Sequence, residues 1–193
     1  SLSNYLETKR ADFPRFFFLA DEELLEILSK TKDPTLVCRY MNKCFEAIET
    51  IIFNEDQCVT TMQSEEKERI DFLKPINPNE GNKKGNVEKW SAELELNMKD
   101  TLRKIGKDCT MDENTERTKW LLKWPGQLII AINQVRWSEA VEQAILSSKL
   151  EDFDVKSKAD LADVVQLIRA DLTSLERMTL SALIVIDVHA QYV

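Results

Sequence analysis

The chain has 193 residues, 43% of them hydrophobic and 31% charged, which is the balance of a globular protein long enough to bury a sizeable core. Its formal net charge is −8 and its pI is near 4.9. Both argue against nucleic acid as a partner, because neutralising phosphates needs clustered Lys and Arg, and against broad docking on an acidic filament.

Tyr5 and Leu6 lie with Leu2 on one face of a short helix at the start of the chain. Four Phe then fall within the six residues Phe13–Phe18, half of the eight Phe in the chain. Burying a large apolar side chain is worth roughly 1.5–3 kcal/mol, so the remaining elements are expected to cover this run. Pro14 pushes Phe13 out of the helical region, and Phe13–Leu19 reads as extended. Asp21 is the expected cap of the next helix, with Glu22 and Glu23 in its first turn and Leu24, Leu25, Ile27 and Leu28 on its apolar side. Asp33-Pro34 restarts the helix and carries it to about Phe45 or Ile48. The pattern then becomes strand-like: Ile48–Phe53, Val59–Met62 and Ile70–Leu73, separated by Asn54-Glu55-Asp56 and Ser64–Glu68, predict a hairpin or three-stranded meander. Lys74–Asn86, with Pro75, Pro78, Gly81 and Gly85, is the expected loop and internal boundary.

The rest of the chain is strongly helical. Val87, Trp90, Leu94, Met98, Leu102 and Ile105 keep a 3.6-residue period behind Asn86. A shorter helix is predicted over Glu113–Trp124, then a long one over Gln127–Ser148 that is apolar enough in its first turns to be the buried centre. Lys156–Met178 follows, with Leu161, Val164, Val165, Ile168, Leu172 and Leu175 on one side, and leads into an apolar C-terminal helix. The predicted fold class is therefore mainly α. It consists of a helical segment with a small β insertion near 48–73 in residues 1–85, and an elongated antiparallel bundle in residues 86–193. The chain starts at Ser1 and ends in an apolar helical run, so it reads as a piece of a longer polypeptide.

Chemical signatures are few. Cys38, Cys44, Cys58 and Cys109 lack paired spacing and read as free thiols in a reducing compartment. No segment approaches the roughly 20 apolar residues of a membrane span, and no secretory leader is expected. Gly81-Asn82-Lys83-Lys84-Gly85-Asn86 has Gly and Lys in the wrong order for a phosphate loop. His189 is the sole histidine and is expected to be buried or at an interface; Asp187, two residues away, points to another helix face. The acidic groups Glu65, Glu66, Glu68 and Asp71 read as a solvated turn, and Asp112, Glu113 and Glu116 as a favourable first helical turn. Trp120 and Trp124 share a helix face; with Trp137 they are core residues or, alternatively, an aromatic docking surface. No catalytic, cofactor-binding or metal-ligating residue is identified.

Tyr5–Leu19, followed by Leu24–Leu28, closely resembles the linker region of dynein heavy chains. The similarity continues in order through Lys43-Cys44-Phe45, Gly85–Trp90, Trp124–Gln127, Gln134–Glu139 and Leu183–Ala190, and is more axonemal than cytoplasmic. Val37–Tyr40 and Gln191-Tyr192 depart from the usual family pattern. The resemblance implies the C-terminal part of a helical lever that lies across a ring of six AAA+ modules and produces the power stroke. It places ATP with magnesium in those modules, and microtubule binding and the intermediate and light chains on other regions of the heavy chain. A ciliary or flagellar location follows. In that frame Phe13, Pro14, Arg15, Phe16, Phe18, Leu24 and Leu25 form a structural junction, and Trp120, Trp124 and Trp137 the docking surface. The fragment itself would be non-catalytic. The competing class is a stand-alone helical adaptor.

Overall fold

A computed structural model describes residues 2–191, so Tyr192 of the Gln191-Tyr192 departure lies outside the described residues. Among the described residues it has eight α-helices and one three-stranded antiparallel sheet, the mainly α fold with a small β insertion that the sequence predicts. The chain divides between Arg103 and Lys104 into two compact units, each with its own apolar core.

In the first unit, α1 (Leu2–Asp12) leads into a 3-10 turn over Pro14–Phe18, and α2 spans Asp21–Ser29. The extended reading holds for Phe13 alone, at φ −138°, ψ 94°. Pro14 supplies the fixed φ of a first helical position, and the Phe16 and Leu19 amides close onto the Phe13 and Phe16 carbonyls at 3.0 and 3.1 Å. Asp21 does not cap α2. Ala20 occupies that position, and the Glu23 carboxylate accepts its amide hydrogen at 3.0 Å. Asp33 does cap, accepting from the Thr35 amide at 3.0 Å. The helix it starts is a 3-10 stretch, Pro34–Tyr40, with only the short α3 (Met41–Cys44) behind it.

The meander consists of β1 (Thr50–Phe53), β2 (Val59–Gln63) and β3 (Arg69–Ile76) in that order. Ile51 pairs with Met62, and Met62 with Ile70. Its turns close on Asn54–Cys58 and Ser64–Glu68, with Gln57 and Lys67 at φ 59° and 70°. The expected loop begins three residues later than the composition suggests, because Lys74–Ile76 stay in β3; Pro75 is tolerated on this edge strand. The helix α4 (Val87–Met111) lies over that edge: Thr101 Oγ1 accepts the Leu73 amide at 3.1 Å, and Asn97 donates to the Lys74 carbonyl at 2.7 Å. Its periodic residues Val87, Trp90, Leu94 and Met98 are buried as expected.

The second unit contains α5 (Arg117–Trp120), α6 (Gly126–Leu146), α7 (Leu150–Leu167) and α8 (Ser174–Gln191). Three expectations change here. The helix predicted over Glu113–Trp124 shrinks to α5, because Asp112–Glu116 form a connection whose side chains bind one another. The long helix α6 is not the buried centre: Ile129 and Ile132 are covered, whereas Val135 and Ile145 are exposed, since its neighbours cover one side only. The single helix read from Lys156 to Met178 is two helices. Thr173 and Glu176 form a reciprocal capping box, the Thr173 amide donating to Glu176 Oε2 at 2.8 Å and the Glu176 amide to Thr173 Oγ1 at 3.2 Å. Arg177 reaches back to the Ile168 and Ala170 carbonyls at the end of α7.

Gly126 opens α6 where a Cβ would lie 2.7 Å from Thr179 Oγ1 of α8. Gly106, inside α4, would meet only Leu128 Cδ2 at 3.5 Å. Gly126→Ala is therefore expected to destabilise the chain by about 1–3 kcal/mol, and Gly106→Ala to stabilise it by about 0.5–1 kcal/mol. Chemical denaturation of the two variants beside the parent checks both signs.

Candidate functional site

The Phe13–Leu28 junction is built by two arginines. Arg15 donates to the Cys44 carbonyl at 2.9 Å, ion-pairs with Glu95 of α4 at 3.3 Å, and lies 4.6 Å over the Phe45 ring. Arg10 donates to the Leu19 carbonyl at 2.9 Å and pairs with Asp21 at 2.8 Å. Between them Phe13 and Phe16 meet edge-to-face, centroids 4.9 Å apart, over Leu24 in the first core. Lys9 of α1 reaches the buried Glu88 of α4 at 2.6 Å.

The aromatic run is not covered throughout. A 3-10 turn repeats every three residues, so Phe13, Phe16 and Leu19 face inward, while Phe17 and Phe18 are 66% and 67% exposed. Of the proposed junction residues, Phe13, Phe16 and Leu24 are buried, Arg15 and Leu25 half-buried, and Pro14 and Phe18 exposed. Buried Cys44 has its thiol pushed up to about 11 by desolvation, far from the reactive thiolate range.

The three tryptophans of the second unit do not form one patch. Trp120 is core: it is buried, donates to the Cys109 carbonyl at 3.2 Å and carries Arg136 at 4.5 Å over its ring. Trp124 is half-buried and donates to Asp112 at 3.1 Å. Trp137 stands with Phe153 of α7 in an edge-to-face corner, centroids 5.8 Å apart. That corner lines a groove of about 700 Å³ between α6 and α7, and Arg117, Asn133, Asp160 and Asp187 line it too. Asn133 donates to Asp187 at 3.0 Å and accepts from Arg117 at 3.1 Å; Arg117 also lies 3.5 Å from Asp187. Burial raises the Asp187 carboxyl against the opposing pull of Arg117. His189 is exposed in the last turn of α8, not buried.

Periodicity could not have paired Asp187 with Arg117, which is 70 positions away. The corner partner Phe153 was equally hidden. Asp112 was legible as an acid but not as a hub. It sits in the connection before α5 and accepts from Lys123 at 2.8 Å, Thr115 at 2.6 Å and Trp124.

No group of three or more His, Cys, Asp or Glu suited to a metal ion occurs among the described residues. Gly81–Lys83 is a 3-10 turn, and Lys83 pairs with Glu93 at 2.9 Å and Glu80 at 3.6 Å.

Residues 1–109 match the family model described as "Dynein heavy chain, N-terminal region 2". The chain belongs to the dynein heavy chain family. It is 45% identical over 191 residues to Dynein axonemal heavy chain 3 of Homo sapiens, an alignment covering 98% of this chain and 5% of that protein. It is 48% identical over 195 residues to Dynein axonemal heavy chain 1 of Mus musculus, with 98% and 4% covered. Against Dynein axonemal heavy chain 12 of Rattus norvegicus the identity is 36% over 193 residues, with 98% and 6% covered. The chain thus spans about one twentieth of the length of these relatives. As axonemal heavy chains, they indicate a cytoskeletal location in the ciliary axoneme. Within the family, the arginine-pinned junction lies in the stretch that the family model covers, and the groove lies beyond it.

Two expectations follow. Phe16→Ala should cost roughly 3–5 kcal/mol of stability, whereas Phe18→Ala should stay within about 0.5 kcal/mol; thermal unfolding of both variants separates a packed ring from an exposed one. Hydrogen bonds from Lys123, Thr115 and Trp124 hold the Asp112 carboxyl down to about 2, against an ordinary value of 3.8. Its folded-state value is depressed, so its contribution is complete above 3.8 and is lost as pH falls toward 2. The stability gap between the parent and Asp112→Asn, measured by urea titration across that window, should therefore shrink on acidification.

Proposed function

We propose that the chain is the C-terminal part of the linker of an axonemal dynein heavy chain. In this reading it is a mechanical lever that converts ATP-driven changes in the motor's AAA+ ring into movement along a microtubule. The observation that carries the reading is the junction. Arg10 and Arg15 fasten a 3-10 turn to α2, to the end of α3 and to α4 while it holds Phe17 and Phe18 outward. An element that transmits force must resist bending where the chain changes direction, and close-packed aromatic rings backed by ion pairs resist it through low compressibility. The two outward rings supply an aromatic contact of the kind that anchors interfaces.

ATP with magnesium belongs to the AAA+ modules of the parent heavy chain, and the microtubule and the intermediate and light chains to its other regions. The fragment contributes stiffness and contact, and the isolated chain should not turn over ATP. The partner of the exposed aromatics is the ring of the same heavy chain.

Replacing Phe17 and Phe18 together with serine in a motile full-length heavy chain tests this. Both side chains are exposed, so folding should be retained. Slower microtubule gliding with basal ATP turnover preserved is the expected result, and gliding at the parent velocity would count against the lever reading.

A further inference from the structure

The turn between α6 and α7 puts three aliphatic side chains into solvent together. Ile145 and Leu146 close α6 and Leu150 opens α7; they are 61%, 79% and 52% exposed. The turn itself is tightly built. The Ser147, Ser148 and Lys149 amides donate to the Gln143, Ile145 and Ala144 carbonyls at 3.0, 3.1 and 2.8 Å, and Ser148 takes a left-handed φ of 57°. The three side chains therefore sit on a fixed tip. Acidic residues border it. Glu142 stands one helical turn before Ile145 and Leu146, with Glu139 three residues further back; Glu151 follows Leu150, and Asp154 stands one turn after it. All four are exposed. Among the residues from 139 to 158 that do not line the groove, the one base is Lys158, and it pairs with Asp154 at 2.6 Å. With the groove-lining Lys149, Asp152 and Lys156 counted too, the stretch holds five acids and three lysines. Glu139, Glu142 and Glu151 make no ion pair among the described residues.

We propose that this tip docks a basic amphipathic helix of a partner protein. The helix covers Ile145, Leu146 and Leu150 with its aliphatic stripe, and its flanking lysines or arginines answer Glu139, Glu142 and Glu151. An exposed apolar patch with a charged rim is the ordinary mark of a contact site. The rim decides what occupies it. A second copy of this chain would set the same patch against itself, so that carboxylates face carboxylates. Three such side chains also offer on the order of 300 Å², well short of the about 800 Å² per partner that a stable dimer buries. An anionic lipid surface would be repelled by the same carboxylates. A helix with an apolar stripe between two cationic edges meets both the aliphatic centre and the acidic border. The tip docks such a helix whether or not the chain acts as a lever.

The test titrates the chain into a fluorescent leucine–lysine amphipathic helix and follows anisotropy. Two further probes are a leucine–glutamate helix of the same pattern and a scrambled leucine–lysine peptide of the same composition with no apolar stripe. The leucine–lysine helix should bind, the scrambled peptide about tenfold more weakly, and the leucine–glutamate helix not at all. Leu146→Ser removes the most exposed of the three aliphatics, so the fold should stand with an unchanged melting midpoint, while affinity for the leucine–lysine helix falls about tenfold. Val185→Ser, an equally plain exposed aliphatic on α8, should lose nothing. Glu139→Gln with Glu142→Gln should lower affinity about threefold at low salt and flatten its salt dependence. Equal binding of the lysine and glutamate helices, equal losses in Leu146→Ser and Val185→Ser, or no binding of the leucine–lysine helix would each overturn the proposal. So would sedimentation showing a dimer of the chain that Leu146→Ser dissolves, because the tip would then belong to a second copy.

Discussion

A single guanidinium organises the first unit. Arg15 follows the one proline of the aromatic run, and its position is fixed once Pro14 forces Phe13 into an extended conformation and starts a 3-10 turn. From there it touches a carbonyl at the end of α3, a carboxylate on α4 and an aromatic face. Those groups come from two stretches far apart in sequence, Cys44-Phe45 and Glu95, brought to one planar group whose five donors point in a fixed fork. Phe13, Phe16 and Leu24 fill the space that this cross-bracing encloses. Remove the bracing and the rings would still be apolar, but only Arg10, through the Leu19 carbonyl and Asp21, would set the direction in which α1 hands the chain to α2.

The second unit solves a similar problem with a buried polar cluster instead of an aromatic one. Arg117, Asn133 and Asp187 tie α5, α6 and α8 together through hydrogen bonds that satisfy each group in turn. Such a cluster is costly to bury and stabilises only when complete. It therefore specifies how the three helices meet more than it adds to their stability. The apolar contacts around Leu180 and Leu183 supply the larger share of the burial.

Much of this is legible in the sequence. The period of three and four from Val87 onward found α4 and its buried face, and alternation with turn residues found all three strands, because both signals are carried by residues close in sequence. The errors have the same origin seen from the other side. Proline before an aromatic run reads as extended because φ restriction is a statement about one residue, whereas the 3-10 turn depends on hydrogen bonds that close over three. The long helix from Lys156 onward reads through a break because its apolar spacing continues across it, although Thr173 and Glu176 spell the capping box that starts α8. Burial of Phe17 and Phe18 was inferred from hydrophobicity alone, which cannot say on which side of a turn a ring will stand. The groove was out of reach, since Trp137 meets Phe153, and Arg117 meets Asp187, only after the helices pack.

The way α4 lies over β3 has a consequence for how such a chain survives its own synthesis. An unpaired strand edge is a template on which another copy can add a strand. On β3 that edge is largely occupied: Thr101 takes the Leu73 amide, Asn97 takes the Lys74 carbonyl, and Pro75 has no amide to offer. At the other edge β1 is only four residues long, and its Ile51 carbonyl is met by the Cys38 thiol and the Thr50 hydroxyl. The sheet is thus obstructed at both edges, by side chains on β3 and by shortness and one occupied carbonyl on β1, without a barrel. In heavy chains of the relatives' length, about twenty times that of this chain, a small sheet with obstructed edges would keep neighbouring segments from pairing with it.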